Sequence, residues 1–184
     1  MAEFNLHDKT TAPAGSRPLL AASEKGYGMI PNLHAVMAES PQVLKAYQDL
    51  HGLFQETSLG TVEQNVVWLT INVEHHCHYC VPAHTVIAQG ADVPEDVIEA
   101  LRNGQPLADE RLEALRRFTL KLVRERGRVS DEDIAAFKAA GYTDRHVLEV
   151  ILGIAQKVMS NYINAIAETP LDEPFEKHAW QPAA

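Results

Sequence analysis

"TVEQNVVWLTINVEHH", Thr61–His76, decides the fold. Its middle, Val66 to Ile71, is apolar and β-branched enough to suit a buried strand. Two features favour helix. Thr61 and Gln64 have the spacing of a capping box. The apolar run also extends well past the usual length of a strand before it reaches "HH". Read as helix, this segment leaves no stretch of the chain that alternates as a sheet requires, and the expected class is all-α.

Working outward, residues 1–38 carry Pro13, Gly15, Pro18, Gly26, Gly28 and Pro31 and read as an irregular N-terminal arm. "GMIPNLHAVM" within it is apolar enough to pack against the rest. Ser40 with Pro41 at the first helical position opens "PQVLKAYQDLHGLFQET", whose Val43, Leu44, Tyr47, Leu50 and Phe54 make one buried face. "HYCVPAHTVIAQG" reads as a helix that starts near Cys77 or His78, with Pro82 in its first turn. Pro94 starts a short helix, and "LADERLEALRRFTLKLVRERG" is a long amphipathic one ending at Gly127. Ser130 caps "DEDIAAFKAAG", and Thr143 or Asp144 caps the longest helix, "TDRHVLEVILGIAQKVMSNYINAIAET". About seven helices are thus expected over residues 39–175, followed by a C-terminal tail, 176–184. "ADVPEDVIEALRNG" and "GRVSDEDIAAFKAAG" echo each other loosely, as a duplicated helical hairpin would.

The 184 residues suffice for one domain with a sizeable core, and 46% hydrophobic with 22% charged residues is ordinary for a globular chain. A net charge of −9 argues against nucleic acid or an anionic membrane as partner. The start "MAEFNLHDKTTAPAG" lacks the basic and apolar regions of a signal peptide, and no segment approaches a membrane span. A cytoplasmic location follows as the expectation, and there a C-x-x-C pair is more often redox-active or metal-binding than a structural disulfide.

That pair lies in "EHHCHYCVPAHT", Glu74–Thr85, which holds both cysteines and four of the nine histidines. Cys77, Cys80 and His84 stand at i, i+3 and i+7, one face of a helix start. A helix N-terminus favours the thiolate, and cysteines three apart close a disulfide with little backbone movement. His84, one turn after Cys80, is placed to take its proton or to stabilise the thiolate.

Leu59–Gly90, "LGTVEQNVVWLTINVEHHCHYCVPAHTVIAQG", resembles the core of the carboxymuconolactone decarboxylase superfamily, in its alkylhydroperoxidase D-like (AhpD-like) branch. The tail "NYINAIAETPLDEPF" is similar to the end of that domain. The C-x-x-C-x-x-x-H element is the specific part of a likeness covering about residues 40–175. The resemblance implies an all-α, AhpD-like fold, assembly as trimers or hexamers, and thiol-dependent reduction of a peroxide, or of a disulfide by the same pair. Carried onto this chain, Cys80 attacks the peroxide and becomes a sulfenic acid. Cys77 resolves it as a disulfide, and an external dithiol restores both. His84 relays the proton, and His78 matches a second family histidine only loosely. The family's relay glutamate falls on Asn65, which cannot take a proton at neutral pH. Glu74 is the expected substitute, and the change puts strong peroxidase activity in question.

A zinc-binding module remains the alternative, because Glu74, His75, His76, Cys77, His78, Cys80 and His84 offer more than four ligands. A further alternative is a relative with weakened catalysis, kept as a binding protein. No flavin, haem or nucleotide fingerprint appears and no cofactor is expected. Trp68, Tyr79 and Phe118 read as core or subunit-contact residues. Asn161 and Tyr162 read as ordinary packing of the last helix, with a place at the site as the competing reading.

Overall fold

The structure, a computed structural model, describes residues 4–182; Met1–Glu3 of the arm and Ala183–Ala184 of the tail lie outside the described residues. Ten helices are present among them: α1 (Arg17–Tyr27), α2 (Asn32–Met37), α3 (Pro41–Gln55), α4 (Thr61–Glu74), α5 (Cys80–Gly90), α6 (Glu95–Arg102), α7 (Glu110–Arg124), α8 (Asp131–Ala139), α9 (Asp144–Ala167) and α10 (Glu173–Glu176). No strand occurs among the described residues. The seven expected helices are α3 to α9.

Helix α4 is the hub. Every residue from Glu63 to Asn72 is buried, and the helix packs on α5, α6, α7 and α9 at once. This explains the strand-like look of Val66–Ile71: a helix covered on all sides needs apolar groups all round, and β-branched residues serve there despite their modest helix propensity. The cap lies one residue earlier than Thr61. The Gly60 N–H donates to Glu63 Oε2 at 2.7 Å, while the side-chain amide of Gln64 donates to the carbonyls of Gln55 and Leu59.

The chain then turns sharply. His76 adopts φ 51°, a left-handed position that glycine usually fills. The His76 N–H donates to the Val73 carbonyl and the Cys77 N–H to the Asn72 carbonyl, both at 3.0 Å, so the last carbonyls of α4 are satisfied. Regular helix resumes at Cys80, three residues later than Cys77, although the Cys77 carbonyl already accepts the Val81 N–H at 3.1 Å. Pro82 does fall in the first turn, where its missing N–H removes no helical bond.

The arm departs from expectation. It is helical over α1 and α2, and Gly28 at φ 74° ends α1. Ala12, Leu20, Leu33, Met37 and Ala38 pack with Leu44, Tyr47, Tyr79, Ala83 and both cysteines in a second core beside the larger one around α4. The tail adds α10. Before it, Asp172 accepts from the Asn32 N–H and the Tyr79 hydroxyl, and Trp180 beyond it donates to the Arg102 carbonyl at 2.8 Å.

Helix α9 carries the least expected pattern. Its buried face runs Glu149, Val150, Gly153, Gln156, Lys157, Ser160, Asn161 and Asn164, a mostly polar stripe. Its outer face bears Leu148, Ile151, Tyr162 and Ile166, which are exposed. The usual arrangement of an amphipathic helix is reversed along much of its length.

Candidate active site

Cys77 and Cys80 are free thiols, both buried, at the junction of the α4–α5 turn and the α9 stripe. The Cys80 N–H donates to Cys77 Sγ at 3.2 Å. Asn164 Nδ2 lies 3.2 Å from Cys80 Sγ and 3.9 Å from Cys77 Sγ, and Ser160 Oγ lies 3.7 Å from Cys80 Sγ. Asn72 steadies the turn: its Nδ2 donates to the Cys80 carbonyl at 3.3 Å, and its Oδ1 accepts from Asn161 Nδ2 at 3.0 Å.

Below this donor set sits Lys157, wholly buried. Its Nζ is 2.8 Å from His84 Nε2, so an ammonium donating there leaves the proton of the neutral imidazole on Nδ1. His84 in turn lies against Trp68, which stacks on His51 and donates to Gln156 at 2.7 Å. A buried ammonium is costly unless an anion stands near it.

The electrostatics separate the two thiols. Burial disfavours the Cys80 thiolate, but the hydrogen bond from Cys77, the Lys157 charge and the hydrogen bonds with Ser160 and Asn164 outweigh it and bring its pKa down to about 6 from 9.0. Cys77 moves the other way: its hydrogen bond to Cys80, burial and the neighbouring negative charge all keep its proton on. Burial and the adjacent Lys157 hold His84 well below the ordinary imidazole value, and Lys157 itself is lowered by burial against the pull of both sulfurs. The expected reactivity follows. Iodoacetamide should modify Cys80 at a rate that is flat from pH 9 down to about 7 and halves near pH 6. Mass spectrometry of the quenched protein reads this directly, and a midpoint near 9 would show that the donor set does not act.

A cavity of about 240 Å³ opens on Cys80. Tyr27 and Met29 from the arm, Tyr47 and His51 from α3, and Phe175 from α10 wall it, with Lys157 and His84 reaching it from inside. Cys77 does not line it. Among the described residues lining the cavity there is no carboxylate.

The other expected site residues lie elsewhere. Glu74 does not reach the thiols: it forms a bidentate pair with Arg124 at 2.7 and 2.8 Å on the far side of the turn. Asn65 is buried two turns before Asn72, and its amide donates to the Thr61 carbonyl at 2.9 Å and not to His84. His78 points to the Thr169 carbonyl at 2.9 Å, and His75 to Asn161. Glu74, His75 and His78 are thereby drawn away from the two cysteines. Among the described residues no group of three or more His, Cys, Asp or Glu side chains is placed to hold a metal. Tyr162 is exposed, and Asn161 braces Asn72. Lys157, Ser160 and Asn164 escaped the sequence reading. Their signal was available: polar residues at i, i+3 and i+7 inside an otherwise apolar helix, which only a partnered interior would tolerate.

No family model and no curated protein matches the chain. Solved structures do. One is described as an alkylhydroperoxidase AhpD core, an uncharacterized peroxidase-related protein from Ralstonia eutropha JMP134. It is 20% identical with a TM-score of 0.83, covering 94% of this chain and 93% of its own. A peroxidase-related protein from Silicibacter sp. TM1040 is 19% identical with a TM-score of 0.78, covering 95% and 92%. A variant of the debrominase Bmp8 in complex with 2,3,4-tribromopyrrole is 17% identical with a TM-score of 0.79, covering 96% and 95%. The chain therefore has the AhpD-like, all-helical fold of these peroxidase-related proteins.

Proposed function

We propose that the protein is a dithiol peroxidase that reduces a small apolar hydroperoxide. The observation that carries this reading is the asymmetry of the pair: Cys80 alone lines the cavity and has the lowered pKa, while Cys77 is protonated behind it. The Cys80 thiolate attacks the peroxide oxygen to give a sulfenic acid, Cys77 displaces water to close the disulfide, and an external dithiol reopens it. Peroxide is favoured over a protein disulfide as oxidant, since both sulfurs are buried behind the arm and a cavity of about 240 Å³ admits only a small molecule. The test is intact mass of the reduced, chelator-treated protein before and after one equivalent of cumene hydroperoxide. Closure of an internal disulfide, a loss of two hydrogens, is expected; no change of mass would sink the reading.

A second reading has two observations behind it. The likeness to a debrominase, together with aromatic cavity walls, favours a flat halogenated ring as another substrate. Loss of bromide as HBr would then be balanced by the same disulfide, and bromide release from 2,3,4-tribromopyrrole is the assay.

We further propose that the protein works as a homo-oligomer, trimeric or hexameric by resemblance. Leu148, Ile151, Tyr162 and Ile166 form an apolar row along α9, with Leu53 of the neighbouring α3 also exposed. Such a row on a soluble chain marks a contact surface. Leu148→Glu with Ile166→Glu should shift the light-scattering mass from an oligomer to about 20 kDa with little loss of monomer stability, since neither side chain is in the core. A wild type that is already monomeric at micromolar concentration would refute the assembly.

A further inference from the structure

The peroxide step needs an acid. An alkoxide leaving a hydroperoxide must be protonated as the O–O bond breaks, and the residues expected to move that proton, His84 and Glu74 in place of the family glutamate, are not equipped for it. Glu74 is on the far side of the turn with Arg124, and Asn65 has no proton to give. His84 is in the right place, yet its Nε2 faces Lys157 and its surroundings keep it neutral. No carboxylate lines the cavity among the described residues. Tyr27, Tyr47 and Tyr79 also line it, but burial pushes their phenols up while it pushes the Lys157 ammonium down. Lys157, wholly buried, reaching the cavity from α9 and 2.8 Å from His84, is therefore the group there best able to release a proton.

We infer, resting on the peroxidase reading, that Lys157 is the proton donor to the departing alkoxide and that His84 positions it. The step balances. Cys80–S⁻, RO–OH and Lys157–NH₃⁺ give Cys80–S–OH, ROH and Lys157–NH₂; the S–O bond forms, the O–O bond breaks, and sulfur is oxidised by two electrons as the peroxide is reduced. Cys77–SH and Cys80–S–OH then give the disulfide and water. When an external dithiol restores both thiols, Cys80 returns its proton to Lys157.

The surroundings couple the donor to the redox state. The groups facing Lys157 are Cys77 and Cys80, His84 of α5, His51 of α3 and Tyr27 at the end of α1. His51 is held near 4 by burial and by Lys157, and is uncharged at neutral pH. Before reaction the Cys80 thiolate is the anion that holds the ammonium. Once that sulfur becomes a sulfenic acid, the buried ammonium has lost its counter-charge and sheds a proton more readily. The acid thus strengthens as it is used.

A lysine that merely stabilises the thiolate predicts something different, and one ratio separates the two roles. Single-turnover oxidation of Cys80 is followed by quench and mass spectrometry with cumene hydroperoxide, whose alkoxide needs a proton, and with peroxyacetic acid, whose acetate does not. The ratio of the two rates cancels the thiolate fraction. In Lys157→Gln the peroxyacid-to-hydroperoxide ratio should rise at least about a hundredfold over the wild type, the usual scale of general-acid catalysis. A ratio within about threefold of the wild type would overturn the assignment and leave an electrostatic role only. If the variant does not fold, the wild type still decides. A normal solvent deuterium isotope effect with the hydroperoxide and none with the peroxyacid is expected, and equal effects overturn the proposal. A wild type that reacts with neither oxidant takes down the peroxidase reading and this inference together, whereas an unchanged ratio in a reacting protein removes the proton donor alone.

Discussion

Cys80→Ser should lower peroxide turnover at least about a thousandfold, the scale on which removal of a catalytic nucleophile acts. Cys77→Ser should instead consume one equivalent and stop. The two thiols differ in surroundings and not in kind. Cys80 opens on the cavity and has Asn164 and Ser160 beside its sulfur, with Lys157 supplying charge. Cys77 has no access to the cavity and keeps its proton. A serine at 80 leaves the cavity shape almost unchanged but presents an alcohol, which none of these donors makes nucleophilic at neutral pH. A serine at 77 leaves the attack possible but removes the partner that closes the disulfide, so the product is a sulfenic acid 16 Da heavier, a single oxygen atom. Intact mass with a sulfenic-acid trap reads both outcomes. Full multi-turnover activity in Cys80→Ser would sink the mechanism. Failure of every form to react, with a metal held through gentle purification, would return the histidine cluster to the zinc reading.

The extent to which this site could be read from the chain alone depends on how local its causes are. Helix α4 could be recognised from its length and polar start, and the dithiol from a C-x-x-C-x-x-x-H at a helix start. Those signals lie within a few residues of one another. Glu74 is turned away from the thiols because it still lies in α4, where Arg124, fifty positions away, pairs with it, while the left-handed turn at His76, a residue whose type gives little hint of that conformation, carries Cys77 off in another direction. The glycines and prolines of the arm point to an irregular chain and outweigh its periodicity. Gly28 and Pro31 in fact bound two short helices, Gly28 by ending α1 and Pro31 by preceding α2. Lys157, Ser160 and Asn164 give a weak signal because, in a helix with so many apolar residues, the apolar side is the one expected to face inward. Here the dithiol requires a polar interior, and the apolar groups are displaced to the outside.

Gly153→Ala should destabilise the protein by about 1–2 kcal/mol, against the gain of about 1 kcal/mol that alanine usually brings to a helix interior. A Cβ on Gly153 would stand 2.7 Å from Phe54 Cε2, 3.0 Å from its Cζ and 3.0 Å from Val67 Cγ1. Phe54 is fully buried and its ring lies against Trp68, so it has no free direction in which to move. The added methyl therefore pushes α9 away from α3 and α4, and overpacking outweighs propensity. The same displacement carries Lys157, Ser160 and Asn164, which follow Gly153 on one face within three turns. Cys80 then loses donors, and the midpoint of its alkylation profile should climb from about 6 toward 9.0. Phe54→Leu makes room where the methyl points. Alone it removes ring contacts and costs stability; combined with Gly153→Ala it should cost less than the sum of the two, with a coupling of about 0.5–3 kcal/mol as expected for side chains in direct contact. Urea unfolding and iodoacetamide profiles on the four proteins of this cycle measure both effects. A Gly153→Ala protein as stable as the wild type would mean that the crossing has slack. A destabilised one whose Cys80 midpoint stays near 6 would mean that the thiolate is held by the α4–α5 turn alone, and that the packing of α9 sets stability without setting the chemistry.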